Sequence, residues 1–342
     1  MPPYVWYFAF MVRYFDTVQR ITERYLTKRK KRLELEKAAR AVKRTFKGEL
    51  LGWLDAIVFA VVFVLLVNQF LFQLFLIPTP SMVATLLVKD RVFVSKTSYG
   101  IELYPGGPKV LDSKEPLRDD VIVFYNPMYE SRGPVFDILS QIIYYGTFSL
   151  VNIDKDEDGN MRERLYVKRA ALTGGESAVI ENGKVFITAD GLTHPFDEQE
   201  FRTATGQSIA PHQSLQPSLY SGFRAFGALL AYQEAGFIDL APHILKQEYA
   251  QIESYRDVVD YYQVDKVQAQ TLKQIDPSSM TLRGDFSRYE VGRYTPHGYI
   301  LPLGDNRDNS QDGRYFGPVS TKKIIGSVKF RFWPLSRIGI VR

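Results

Sequence analysis

Ser81 stands in the run Ile77-Pro78-Thr79-Pro80-Ser81-Met82, directly after the one long apolar segment of the chain. A hydroxyl in that place is either a nucleophile or a serine that merely follows a helix. Zero cysteines exclude disulfides, thiolate metal sites and a cysteine nucleophile, so covalent catalysis has to use oxygen or nitrogen. His194, His212, His243 and His297 occur in isolated contexts without the paired helical spacing of a zinc site, and no Gly-x-Ser-x-Gly elbow surrounds Ser81. A histidine triad, a metal and a cofactor are therefore not called for. The remaining base is a lysine. Lys168 ends the apolar run Leu165-Tyr166-Val167, and a lysine desolvated among such groups loses proton affinity, because burial disfavours its charged form. Taken alone, a lysine at a strand end is more often a solvated side chain.

The elements that would position these groups begin at the membrane. Residues 53–77 carry only Asp55, Asn68, Gln69 and Gln73 as polar interruptions, and 25 helical residues measure about 37 Å, enough to span a bilayer with some tilt. A transmembrane helix is predicted over 51–77, stopped by Pro78 and Pro80. Thirteen of the 43 Lys/Arg lie between residues 13 and 47 against four of the 38 Asp/Glu, so the net charge of +5 is a local basicity. That block, predicted as a solvated helix over 16–47, lacks the aromatic interleaving of a nucleic-acid patch. It precedes the apolar segment, which places the N-terminus in the cytoplasm and the following chain outside. Anionic lipid is its expected partner, and no nucleic acid is expected. Residues 4–12 are apolar but too few to cross, and are predicted as an interfacial anchor.

Beyond the junction the chain is predicted to be mainly β. Strands are expected over 85–95 around a Lys89-Asp90 turn, and over 120–125, 164–168 and 326–333, with a hairpin over 178–187 turning at Asn182-Gly183. Residues 196–290 break the pattern. Leu219, Phe223, Phe226 and Leu230 suggest one amphipathic helix, and Leu245, Tyr249, Ile252, Tyr255, Val259 and Tyr262 another. The predicted organisation is a basic segment (1–50), the span (51–77), a β domain in two parts (78–195 and 291–342) and a helical insertion (196–290) between them. Asp154 to Gly159 opens like a calcium loop, but Leu165 stands where an EF-hand needs a bidentate glutamate, so an acidic turn is expected.

Three stretches resemble the type I signal peptidases, the membrane-bound Ser/Lys proteases that remove secretory signal peptides. Residues 77–86 (IPTPSMVATL) look like their nucleophile box, 165–170 (LYVKRA) like their general-base box, and 304–317 (GDNRDNSQDGRYFG) like a third, longer box that is the most specific of the three. The resemblance covers the apolar helix and residues 77–187 and 296–342, and omits the insertion. It implies a signal-peptidase-like β fold with Ser81 as nucleophile and Lys168 as general base. Ser310 would orient the lysine, and the Thr79 hydroxyl would assist the Ser81 N–H in an oxyanion hole. Asp305, Asp312 and Arg314 would hold the long box beside the lysine. Phe75, Ile77, Met82, Leu86 and Val167 would line shallow pockets for alanine-sized side chains, between edges that pair with a substrate strand. Ala84, Asp119, Thr173-Gly174-Gly175-Glu176 and Gly313 depart from the usual pattern and put loop geometry in question, but remove no catalytic heteroatom.

The expectation is a serine endopeptidase anchored in the bacterial inner membrane. Its partners would be signal peptides of secreted preproteins, the lipid bilayer and the secretion translocon. The alternatives are a Ser/Lys protease that processes other membrane proteins, and an inactive tethered β domain that binds exported polypeptides.

Overall fold

The computed structural model describes residues 19–20, 22–37, 46–111, 114–147, 150–189, 194–204, 215–255 and 261–341. The expected anchor over 4–12, His212 and Val259 lie outside them. Two compact units divide the chain, Met1–Phe63 and Val64–Arg342. In the first, residues 22–37 are helical and exposed throughout, as a run of Lys and Arg requires.

Helix α1 runs Phe46–Phe70, and its Glu49–Phe70 stretch is long and apolar enough to cross a membrane. The predicted helix over 51–77 is corrected at its end. Leu71 N–H makes the last helical bond, to Val67 O, and Phe72–Leu76 is strand β1. A continuous apolar run does not distinguish helix from strand. Here β1 gains antiparallel partners in β2 (Arg91–Ser95), and the Phe72 ring stacks on Phe93 at 4.7 Å. The break comes seven residues before Pro78. The expected strand over 85–95 is likewise shorter. Its first part is a turn closed by Leu86 N–H to Met82 O, with Lys89 at φ +73 and the Asp90 carboxylate accepting from Leu87 N–H.

The remaining strands are β3 (Ile101–Glu102), β4 (Lys109–Val110), β5 (Val121–Tyr125), β6 (Leu165–Leu172), β7 (Glu176–Glu181), β8 (Lys184–Ala189), β9 (Phe196–Asp197), β10 (Arg293–Thr295), β11 (Tyr299–Leu303), β12 (Val319–Ser320), β13 (Ile324–Trp333) and β14 (Gly339–Ile340). The main sheet has the order β1-β2-β13-β5-β6-β11-β12 with β14 on β13, all antiparallel. A second sheet, β10-β7-β8-β9, holds the predicted hairpin. Asn182 and Gly183 both take positive φ there, 50° and 71°, as the tight hairpin turn requires. Val92, Val94, Val121 and Val123 turn inward from the main sheet onto Met82 and Leu86. The fold is thus mainly β, with one long apolar helix preceding it in the chain.

Helix α2 (Pro134–Gly146) follows β5. Between β9 and β10 come α3 (Glu198–Ala204), α4 (Tyr220–Glu234), α5 (His243–Ala250), α6 (Tyr261–Ile275) and α7 (Met280–Val291). The helix expected from Leu219 is α4, with Phe223 buried. The single helix expected from Leu245 to Tyr262 is corrected. α5 stops at Ala250, where turn bonds through Ile252 and Tyr255 replace the helical ladder, and Tyr262 belongs to α6. The acidic turn holds a Lys155–Met161 bridge, and Asp154 accepts from Tyr129 OH at 2.7 Å. No cluster suited to a metal ion occurs among the described residues.

Candidate active site

Residues 77–82 are fixed from both ends. Ile77 exchanges backbone bonds with Lys89 and Asp90, and Pro80–Met82 forms one 3-10 turn, with Pro80 at the first position where its missing N–H costs nothing. The turn buries Ser81 and Met82. Lys168 lies in the middle of β6, opposite Ile122 of β5, and is only 4% exposed. Its Nζ donates to Ser81 Oγ over 2.7 Å, and Thr79 Oγ1 lies 3.4 Å from the same oxygen. Burial lowers the Lys168 pKa to about 8; Asp312, Glu163 and Asp305 oppose that shift and Arg314 adds to it. With the amine neutral, the 2.7 Å contact runs the other way. Oγ–H then donates to the nitrogen lone pair, the arrangement that lets an amine take the proton from an attacking hydroxyl.

The long box 304–317 packs directly on the serine. Asn306 N–H donates to Ser81 O (3.0 Å) and its amide to Pro80 O (3.3 Å). Asp305 receives Arg169 through Nε and Nη2, both at 2.7 Å, and Thr85 Oγ1 at 2.6 Å. Burial alone would raise the Asp305 pKa, but Arg169 outweighs it and holds the carboxyl below its ordinary range. Asp312 caps the short helix α8 (Gly313–Phe316), pairs with Arg314 Nε at 2.9 Å and accepts from Gly304 N–H. It is likewise held low against a burial effect of opposite sign, chiefly by Arg314. Asp305, Asp312 and Arg314 therefore form the loop's own scaffold.

Two of the expected placements differ in this geometry. The hydrogen bond foreseen from Ser310 to Lys168 is not formed; Ser310 Oγ is buried without a partner, pressed against the Gly304 backbone. Ile77, Met82 and Val167 line a cleft of about 400 Å³ that also holds Ser81 and Lys168, whereas Leu86 and Phe75 do not. Leu86 is wholly buried in a core cluster with Val92, Ile77 and Met82, and Phe75 packs against that cluster. Along Leu165–Lys168, β6 pairs only with β5, because β11 joins from Arg169 onward. That stretch leaves a free strand edge along the cleft.

Several residues went unremarked in the sequence. Arg169 and Arg307, beside the expected Arg314, are the largest wholly buried side chains. Arg307 pairs with Glu198 of α3 through both terminal nitrogens, and Arg202 lies 2.9 Å from both Glu198 and Asp119. Burial would raise the Glu198 pKa, but Arg307 and Arg202 reverse this and hold it low. Asp308 accepts from Tyr220 OH (2.6 Å) and Leu215 N–H (2.7 Å). Glu198 and Arg307 lie 109 residues apart, so spacing could not have paired them. The one available signal was an Arg inside a specific motif. The departures also acquire reasons. Asp119 stands where glycine is usual and takes φ +65, with Arg202 on its carboxylate. At Gly313 an added Cβ would come 2.8 Å from Pro302 O, so a larger residue needs the backbone to move.

Residues 50–333 match the family described as signal peptidase, peptidase S26. A signal peptidase I of Helicobacter pylori is 24% identical over 290 residues, covering 81% of this chain and 80% of its own length. One from Haemophilus influenzae is 27% identical over 285 residues, covering 82% and 68%. One from Bacillus caldolyticus reaches 47% over a shorter stretch of 60 residues, 17% of this chain and 33% of the relative. With most of the chain matched, and with Ser81 and Lys168 in contact on a mainly β frame, the protein belongs to the signal peptidase family, peptidase S26.

Proposed function

We propose that this protein cleaves N-terminal signal peptides from exported preproteins, with Ser81 as nucleophile and Lys168 as general base. The observation that carries the mechanism is the 2.7 Å contact between Lys168 Nζ and Ser81 Oγ in a cleft where burial depresses the lysine pKa. Neutral Lys168 takes the Ser81 proton as Oγ attacks the scissile carbonyl carbon. The Ser81 N–H and the Thr79 hydroxyl face the developing oxyanion. The ammonium then gives its proton to the leaving amine, and water releases the acyl group by the same route in reverse. A substrate strand lies along the free edge at Leu165–Lys168, with its small side chains against Ile77, Met82 and Val167.

The chain is anchored in the bacterial inner membrane by α1, with the basic segment in the cytoplasm and the β domain outside. Lipid is a partner also of α2, whose Val135, Leu139 and Ile142 are exposed while its polar Asp137 and Ser140 are buried, the reverse of a helix packed in water. A signal peptide held in the same bilayer meets the cleft at raised effective concentration, and the translocon would deliver it there. Residues 196–290 are an insertion into the β domain. β9 precedes the helices and β10 follows them into the same sheet, which supports that reading.

The test is a pH–rate profile of the full chain in detergent on a preprotein. The base must be unprotonated, so kcat/KM is expected to rise with pH through about 8. Below that value it should fall about tenfold per unit. A limb centred near the histidine range, or a flat profile, would exclude Lys168 as the base.

A further inference from the structure

We propose that Glu198 is a positioning residue that sets Ser81 against Lys168, by tying together two buried arms of chain that end on the two reacting side chains' backbones. The inference rests on the Ser81/Lys168 reading above. One arm starts where the Glu198 carboxylate grips the Arg307 guanidinium, at 2.7 Å for Oε1 and Nη2. Arg307 Nε donates to Gly304 O at 2.8 Å, and the adjacent Asn306 holds the carbonyl oxygens of Ser81 and Pro80. The other arm runs from Glu198 Oε1 to Arg202 and on to Asp119, each step 2.9 Å. Asp119 O receives Arg169 Nη1 at 2.7 Å, and Asp119 N–H donates to Ala170 O, so the two residues after Lys168 are held through this one residue.

The Arg169–Asp305 pair already joins β6 to the long box at one point. Asp308 holds the loop to Tyr220 and Leu215 on its outer side, and the Arg307–Glu198 pair adds the tie that links it through Arg202 and Asp119 to the strand carrying Lys168. Glu198 is 3% exposed and Arg307 1%, so without the carboxylate charge neither Arg307 nor Arg202 has water to replace it. The guanidinium groups would separate, taking Asn306 and the Asp119 turn with them. Small displacements of this kind are costly to chemistry, because a reacting pair about 1 Å out of place loses on the order of 10²-fold in rate. Glu198 touches neither substrate nor reacting atoms. Its effect therefore belongs in kcat and in the protonation of Lys168 rather than in substrate binding.

The experiment compares Glu198→Gln and Glu198→Asp with the parent, as full chains in detergent, on one preprotein, with Ser81→Ala as the blank. For Glu198→Gln, kcat is expected to fall about 10- to 100-fold with KM within about threefold, and the limb of the pH profile to move from its parent position. Glu198→Asp keeps the charge and shortens the reach, and should recover part of the loss in kcat. Should Glu198→Gln fail to fold, a reduced kcat and a displaced limb in Glu198→Asp carry the same conclusion. Parent-like kcat and limb in a folded Glu198→Gln would overturn the proposal, whatever its melting temperature. So would a parent-like Glu198→Asp beside an unfolded Glu198→Gln, which marks the cluster as structural only. Cleavage by Ser81→Ala at the parent rate sinks the Ser/Lys reading itself, whereas an inert Ser81→Ala beside unaffected Glu198 variants sinks only the positioning role.

Discussion

Lys168→Met is expected to lower kcat on a preprotein by about 10⁴-fold or more while leaving KM within a few-fold and the fold intact. The size follows from what the side chain does. Without a base at 2.7 Å, Ser81 Oγ has to lose its proton unaided at neutral pH, and no described histidine takes part in the contact. The fold should survive because methionine fills a similar volume in a place that already disfavours charge, as the lowered lysine pKa indicates. Lys168→Arg is expected to be equally inactive, since a guanidinium stays protonated at any working pH. Ser81→Ala should fall to the same floor, and the double variant should be no worse than either single one, because members of a catalytic unit are not additive. Initial rates of preprotein processing at pH 8 and above measure all four. Activity within about tenfold of the parent in Lys168→Met would remove the lysine from the mechanism.

The sequence carried the site unevenly. Ser81, Lys168 and the 304–317 box were legible because each sits in a contiguous motif, and the structure brings them together from positions 87 and more residues apart. The strands from Val121 and Leu165 were legible from β-branched and apolar runs. The end of the membrane helix was not, because Phe72–Leu76 is as apolar as the helix before it and becomes a strand only by pairing with β2. Leu86 could be taken for a pocket wall because a motif gives adjacency in sequence and says nothing about depth. Glu198, Arg202 and Asp308 were invisible for a different reason. Their partners are fixed by tertiary packing of helices whose own sequence pattern announces only amphipathicity, and a buried ion pair leaves no periodic trace. The same applies to Arg169. It follows the general base directly, yet its task, holding Asp305 under the loop, becomes apparent only when strand and loop are seen together.

Gly304→Ala is expected to remove about 10²-fold or more of kcat by steric means alone. A Cβ built there would lie 2.1 Å from Ser310 Oγ, 2.5 Å from Ser310 Cβ and 2.7 Å from Ser81 O. The hydroxyl could rotate aside. The Ser310 Cβ and the Ser81 carbonyl cannot, since the first is fixed by its backbone and the second is held by Asn306 N–H at 3.0 Å. Backbone conformation does not contribute, because Gly304 lies outside the left-handed region that favours glycine. The loop must therefore lift off Ser81, or Ser81 must retreat from Lys168, and overpacking of this kind costs about 1–3 kcal/mol of stability besides. Gly284→Ala supplies the control. It lies in α7 with nothing within 4 Å of an added Cβ, so activity should be unchanged and stability raised by up to about 1 kcal/mol through helix propensity. Thermal melts with kcat on one preprotein separate the two effects. A Gly304→Ala enzyme with kcat within about threefold of the parent would mean that the long box does not set the Ser81 geometry, and the argument from close packing would fail with it.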